Sequence, residues 1–135
     1  MSATAINWLA VIGAVVIKQV LAALWYSPVL FIQRWFALTG VTEAEMKAGF
    51  AKAIAIDIAG SLVMAIVLAH AVAYAGATTA LQGATIGVLG WLGFIIVATL
   101  PSVTFERRPL ALFLINNGLL LAATALMGAL LGGWR

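Results

Sequence analysis

The chain has no cysteine. Disulfide frameworks, thiol catalysis and cysteine-based metal sites are therefore excluded. Its single histidine, His70, has no second histidine or carboxylate nearby in sequence, so no metal-ligand spacing is completed. His70 reads as a hydrated polar residue near a helix end, and neither metal nor cofactor is expected. Charge is also scarce. Only 8% of the 135 residues are charged, against about 25% in a soluble domain. Hydrophobic residues make up 65%, and the mean hydropathy is +1.18. Such a chain cannot cover a globule with polar groups, so it is an integral membrane protein and a single domain over residues 1–135. The net charge of +3 does not point to nucleic acid, because the few basic residues lie between apolar runs. No basic residue precedes the first apolar run, so a cleavable signal peptide is not expected.

A membrane-spanning helix needs roughly 20 mostly apolar residues. Four stretches satisfy this: about 6–25, 53–74, 84–104 and 110–131. No period-2 alternation suggests a barrel, so the expected fold is all-α, a four-transmembrane-helix bundle. The first connection carries Arg34, Lys47 and Lys52, and the third carries Arg107 and Arg108. The opposite side carries only Arg135. Basic residues mark the cytoplasmic side, which places both termini outside the inner membrane.

The stretch "LWYSPVLF" ends the first span. Trp25 and Tyr26 suit the headgroup level, Ser27 a helix cap, and Pro28 a first helical turn. A short interfacial helix is expected over 29–38, with Gln33 and Arg34 toward water and Trp35 and Phe36 toward lipid. Gly40 would stop it. Thr42 and Glu45 form a capping box, so the second helix can begin at Glu43 and project beyond the bilayer, with Glu43, Glu45 and Lys47 solvated. The four-residue connection from Glu106 to Pro109 makes the third and fourth helices antiparallel neighbours. Similar words in the two halves ("NWLAVI" and "GWLGFI", "SPVLF" and "RPLALF", "IDIAG" and "INNGL") suggest a parallel internal repeat.

Polar residues within spans are few and are the default functional candidates. Lys18, Gln19, Asp57, Asn116 and Asn117 lie roughly 7–10 Å from the cytoplasmic ends of their helices, at about 1.5 Å per residue. They would form one buried polar layer, joined from the third helix by Thr99, Ser102 and Thr104. Pro101 would free the carbonyl of Val97 beside them. Lys18 and Asp57 fall at similar depth on consecutive antiparallel helices and can pair. The layer reads either as glue between helices or as a site for a substrate or proton. A second cluster, Glu106, Arg107 and Arg108, lies at the cytoplasmic boundary. There the arginines can hold lipid phosphates, and Glu106 can pair with one of them, with Lys18 or with Lys52. Gly83–Gly87 and Gly128–Gly132 are GxxxG patterns, the first extended by Gly90 and Gly93, and they mark close helix contacts within or between chains.

"LWYSPVLF", "WLGF", "FERRPLALFLINNG" and the final "MGALLGGW" resemble the domain of unknown function 1761 family of small bacterial membrane proteins. The resemblance covers nearly the whole chain and implies a four-span bundle in a bacterial membrane. It brings no activity, cofactor or catalytic residue, and Lys18 lies outside the pattern that carries it.

Three functions are open. The first is a noncatalytic membrane module that self-associates or serves as a partner subunit. The second is a homo-oligomeric transporter or channel using the polar layer. The third is a membrane-embedded enzyme, which lacks a constellation of nucleophile, base and orienting group. Small multidrug transporters share the length and span number, but they carry a glutamate in the first helix and insert in both orientations. Lys18 and the five-to-one basic bias set this chain apart. The expected partners are the lipid bilayer and a second copy of the chain, with a dimer favoured.

Overall fold

The structure, a computed structural model, describes residues 5–134. Arg135, the one basic residue expected on the side of the termini, lies outside the described residues. The described residues form helices and turns with no strand. The elements are α1 (Trp8–Trp25), α2 (Ile32–Thr39), α3 (Glu43–Tyr74), α4 (Ala80–Thr104) and α5 (Leu110–Gly133). Of these, α1, α3, α4 and α5 are long and apolar enough to cross a membrane.

Capping side chains set the helix starts. Asn7 Oδ1 accepts from the Leu9 and Ala10 amides, so α1 begins at Trp8 rather than Ile6. The Thr42–Glu45 capping box forms as its sequence requires and starts α3 at Glu43. Thr79 accepts from the Gln82 amide, which starts α4 four residues before Ala84. At 32 residues, α3 is about 48 Å long and exceeds a ~30 Å hydrocarbon core.

The Ser27–Pro28 pair does not begin the short helix. The Ser27 carbonyl accepts from the amides of Leu30 and Ile32, so residues 26–31 form turns and α2 starts at Ile32. Phe31 is its N-cap and supplies no side-chain bond. Gly40 ends it with φ of +74°, as anticipated. Gln33 and Arg34 are exposed, while Trp35 and Phe36 are half-buried.

α5 is the hub and packs against α1, α3 and α4. Its tightest neighbour is α4, because the two GxxxG patterns face each other within the chain. A Cβ on Gly83 would be driven into the backbone carbonyl of Gly128, and one on Gly87 into that of Thr124. These patterns are therefore used between helices of one chain. Gly90 and Gly93 do not extend the contact, since nothing lies within 4 Å of an added Cβ at either. Beyond Gly90, α4 opens into a wide π turn over Trp91–Ile96. The carbonyl of Val97, expected to be freed by Pro101, accepts instead from the Leu100 amide at 3.4 Å.

Small residues also make the rest of the core. Ala10, Val11 and Ala14 of α1 meet Ala65, Ala69 and Val72 of α3 around Ala123 and Met127 of α5. This core occupies the end of the bundle that carries the two termini, where the Asn7 amide donates to the Trp134 carbonyl at 3.0 Å. At the other end, which carries Arg34, Lys47, Lys52, Arg107 and Arg108, residues 43–60 of α3 are almost wholly exposed. The words that suggested a repeat fall at unlike places. Trp8 opens α1 whereas Trp91 lies mid-α4, and "SPVLF" forms a turn whereas "RPLALF" opens α5.

Candidate functional site

α1 and α3 bring Lys18 and Asp57 together where the packed core ends. The Lys18 ammonium lies 3.3 Å from each Asp57 carboxylate oxygen and 2.9 Å from Ser61 Oγ. Three acceptors meet its three N–H groups. Gln19 Nε2 donates to Asp57 Oδ2 and to Ser61 Oγ, both at 3.0 Å. Ser61 donates back one turn to the Asp57 carbonyl at 2.7 Å. Lys18 is only 6% exposed, whereas the Asp57 side chain is 47% exposed. The ammonium is thus sealed in the protein and the carboxylate is half open.

The opening is a cleft of about 750 Å³ between α1, α2, α3 and α5. Lys18, Gln19 and Asp57 line it with Tyr26, Trp35, Phe50 and Asn116. Ala22, Ala23, Ile32, Met46, Ala53 and Ile54 supply apolar wall. The cleft exists because α2 turns back beneath the bundle while the first half of α3 stands away from it.

Trp25 and Tyr26 do not direct their polar edges to headgroups. Trp25 Nε1 donates to the Ile115 carbonyl at 2.9 Å, and the Tyr26 hydroxyl donates to Asn116 Oδ1 at 2.7 Å. The end of α1 is thereby fastened to α5, with the Trp25 ring 3.0 Å from where a Cβ on Gly118 would sit. The Tyr26 phenol is pushed up to about 12, first by burial and second by the negative charge of Asp57. It therefore remains a neutral donor at physiological pH.

The expected single polar layer is divided. Consecutive helical residues differ by about 100° around the axis, so Asn116 and Asn117 make their hydrogen bonds to different neighbours. Asn116 faces the cleft, and Asn117 turns toward α4. There Asn117 donates to the Phe113 carbonyl at 3.1 Å and accepts from Thr99 Oγ1 at 3.3 Å. Trp91 Nε1 donates to the Asn117 carbonyl at 2.9 Å. Thr99 thus joins as expected. Ser102 lines a smaller cavity of about 400 Å³ together with Glu106, Arg108 and both asparagines. The Thr104 hydroxyl only reaches the Leu100 carbonyl of its own helix.

At the basic end Glu106 pairs with Arg108 at 3.5 Å. Arg107, in the left-handed region with φ of +56°, forms the tight reversal before α5. His70 bonds the Ile66 carbonyl of its own helix at 2.8 Å and takes no part in either cavity.

The sequence reading missed Ser61 as the buried partner of Lys18 and Gln19, and Tyr26 and Trp35 as members of the cleft. A signal was present for Ser61, which lies four residues after Asp57 and so on the same helical face. None was present for Trp35, whose place depends on the turn after α1. Neither a curated protein nor a solved structure matches the chain. Residues 9–132 match the family described as protein of unknown function (DUF1761), and the chain belongs to that family.

Proposed function

We propose that the protein is a noncatalytic binding module of the membrane, which holds a small amphipathic molecule in the cleft at its basic end. The observation that carries this reading is the half-exposed Asp57 at the wall of a 750 Å³ cleft. That volume lies within the roughly 300–1,000 Å³ of pockets for small molecules, and the wall is mostly apolar with a few convergent polar groups. The groups present bind and orient. Lys18, the amine on the wall, is already engaged by Asp57 and Ser61.

The test is saturable binding of octyl glucoside below its micelle concentration, to protein in nanodiscs of an uncharged galactolipid. Binding should be lost when Ala23→Phe fills the cleft. Binding that is absent, or indifferent to that change, contradicts the reading.

A transporter is the second reading. It is favoured by one feature, a bundle closed at the termini end and open at the basic end. Counterflow of a bound amphiphile in proteoliposomes supports it, and binding without counterflow supports the module. The basic bias places the open end in the cytoplasm. In intact cells Thr79→Cys should then label with an impermeant thiol reagent while Gly40→Cys stays protected. The dimer is retained as part of this proposal on a surface other than the glycine patterns. Native mass spectrometry should find the dimer, and a monomer at every concentration contradicts it.

A further inference from the structure

We propose that the cleft selects an ammonium group carried on a hydrocarbon body, seated between the free edge of Asp57 and the rings of Tyr26, Trp35 and Phe50. The inference rests on the binding-module reading and names its ligand class.

Charge gives the first argument. Lys18 and Asp57 are the charged pair among the residues lining the cleft, and the two are not equally available. Lys18 is 6% exposed and has an acceptor for each N–H, so it offers nothing to an incoming anion. Asp57 differs. A carboxylate has about four lone-pair positions. Lys18 takes one on each oxygen and Gln19 takes a second on Oδ2. One position on Oδ1 is left, on a side chain that is 47% exposed. A new donor at that position adds to the existing bonds without displacing them. The negative charge of Asp57 also acts across the cleft, where it contributes to holding the Tyr26 hydroxyl neutral.

The walls give the second argument. Tyr26 and Trp35 meet edge to face, with centroids 6.2 Å apart, and both line the cleft. Phe50 lines it from α3 and is 53% exposed. Aromatic faces attract cations through the ring quadrupole, and more strongly out of water. Arg34, Lys47 and Lys52 belong to the same end of the molecule but do not line the cleft, so the one like charge on its wall is the Lys18 ammonium, which is already held by Asp57 and Ser61. Apart from Gln19 and Asn116, the remaining wall is apolar and suits a hydrocarbon chain.

Two sources can supply this chemistry: a lipid with a primary ammonium headgroup, or a free cationic amphiphile. The experiment uses wild-type protein in nanodiscs of uncharged galactolipid, titrated with octylammonium, octyl glucoside and octyl sulfate. Octylammonium should bind about tenfold more tightly than the other two, the effect of one charge-assisted hydrogen bond. Asp57→Asn should abolish that preference, so that octylammonium and octyl glucoside bind alike. The double change Lys18→Met/Asp57→Asn, which leaves no lone charge buried at this site, should do the same. Native mass spectrometry after doping the discs separates the sources. Retention of phosphatidylethanolamine over phosphatidylglycerol, reversed by octylammonium, assigns the lipid. Octylammonium preference without that retention assigns the free amphiphile. Equal binding of octylammonium and octyl glucoside overturns the inference and leaves the cleft reading standing. Tighter binding of octyl sulfate, or a preference that survives both variants, also overturns the inference. Failure of all three probes to bind overturns both.

Discussion

The two ends of this bundle are built from different residues and do different things. At the termini end, alanines and glycines let α1, α3, α4 and α5 approach closely, and the core closes. At the basic end the same helices carry Lys18, Asp57, Asn116 and large aromatic rings, and they part around a cleft. In a membrane, where lipid is as apolar as leucine, helices are held by close van der Waals contact and by hydrogen bonds between them. Small residues supply the first and polar residues the second. The comparison teaches that one end uses proximity and the other uses directed polar contacts that leave space between them.

The largest expected effect breaks the packed end. Gly87→Leu forces a side chain into the Thr124 backbone, where only a shift of the whole helix relieves it, and folded protein should be lost. Gly90→Leu meets open space and should leave the melting temperature near that of the wild type. Equal tolerance at the two positions in a detergent melt removes the distinction between facing and lipid-directed glycines.

The next effect concerns the polar end and is asymmetric. Asp57→Asn leaves the buried Lys18 ammonium without its counter-charge, a change that costs about 3 kcal/mol or more in buried pairs. Lys18→Met leaves behind a half-exposed carboxylate, which water can reach, and should cost nearer 1 kcal/mol. The double change should recover part of the larger loss. Strictly additive losses by denaturant titration contradict direct coupling.

Trp25→Phe sharpens the comparison at the seam between the ends. It removes one bond to the Ile115 carbonyl and should cost about 1 kcal/mol. Its control, Trp8→Phe, alters an exposed ring and should cost less.

The remaining effect appears only at alkaline pH. The Tyr26 phenol rises from its ordinary 10.0 to about 12 in the folded chain, so folding favours the neutral form. Its contribution is complete below pH 10 and is lost as pH rises through about 12. Tyr26→Phe should remove that late phase from a tyrosinate absorbance titration.

Much of the fold was legible because its signals are local. Thr42 and Glu45 sit three apart and cap α3 as their spacing demands. The ion pair was legible because helix rise converts position into depth, which put Lys18 and Asp57 at one level. What failed depended on contacts between distant segments. The Ser27–Pro28 pair obeys the local rule for a helix start, yet the Ser27 carbonyl is taken by a turn that brings Trp35 beneath the bundle. Asn116 and Asn117 are adjacent in sequence and were grouped, but helix geometry sends them to different neighbours. The wide turn at Trp91–Ile96 has no sequence signal beyond Gly90 before it and Gly93 within it. The partners of the GxxxG patterns also lay beyond sequence, since close approach is the same within a chain and between chains.

The contrast between ends is most directly tested by thiol accessibility at two alanines of α3. The chain has no cysteine, so each single variant reports alone. Ala53 lines the cleft, and Ala69 is buried in the packed core. A small water-soluble thiol reagent applied to folded protein in nanodiscs should label Ala53→Cys rapidly and leave Ala69→Cys unlabelled until the protein is denatured. Protection of Ala53→Cys, or equal labelling of both, contradicts an open basic end and a closed termini end.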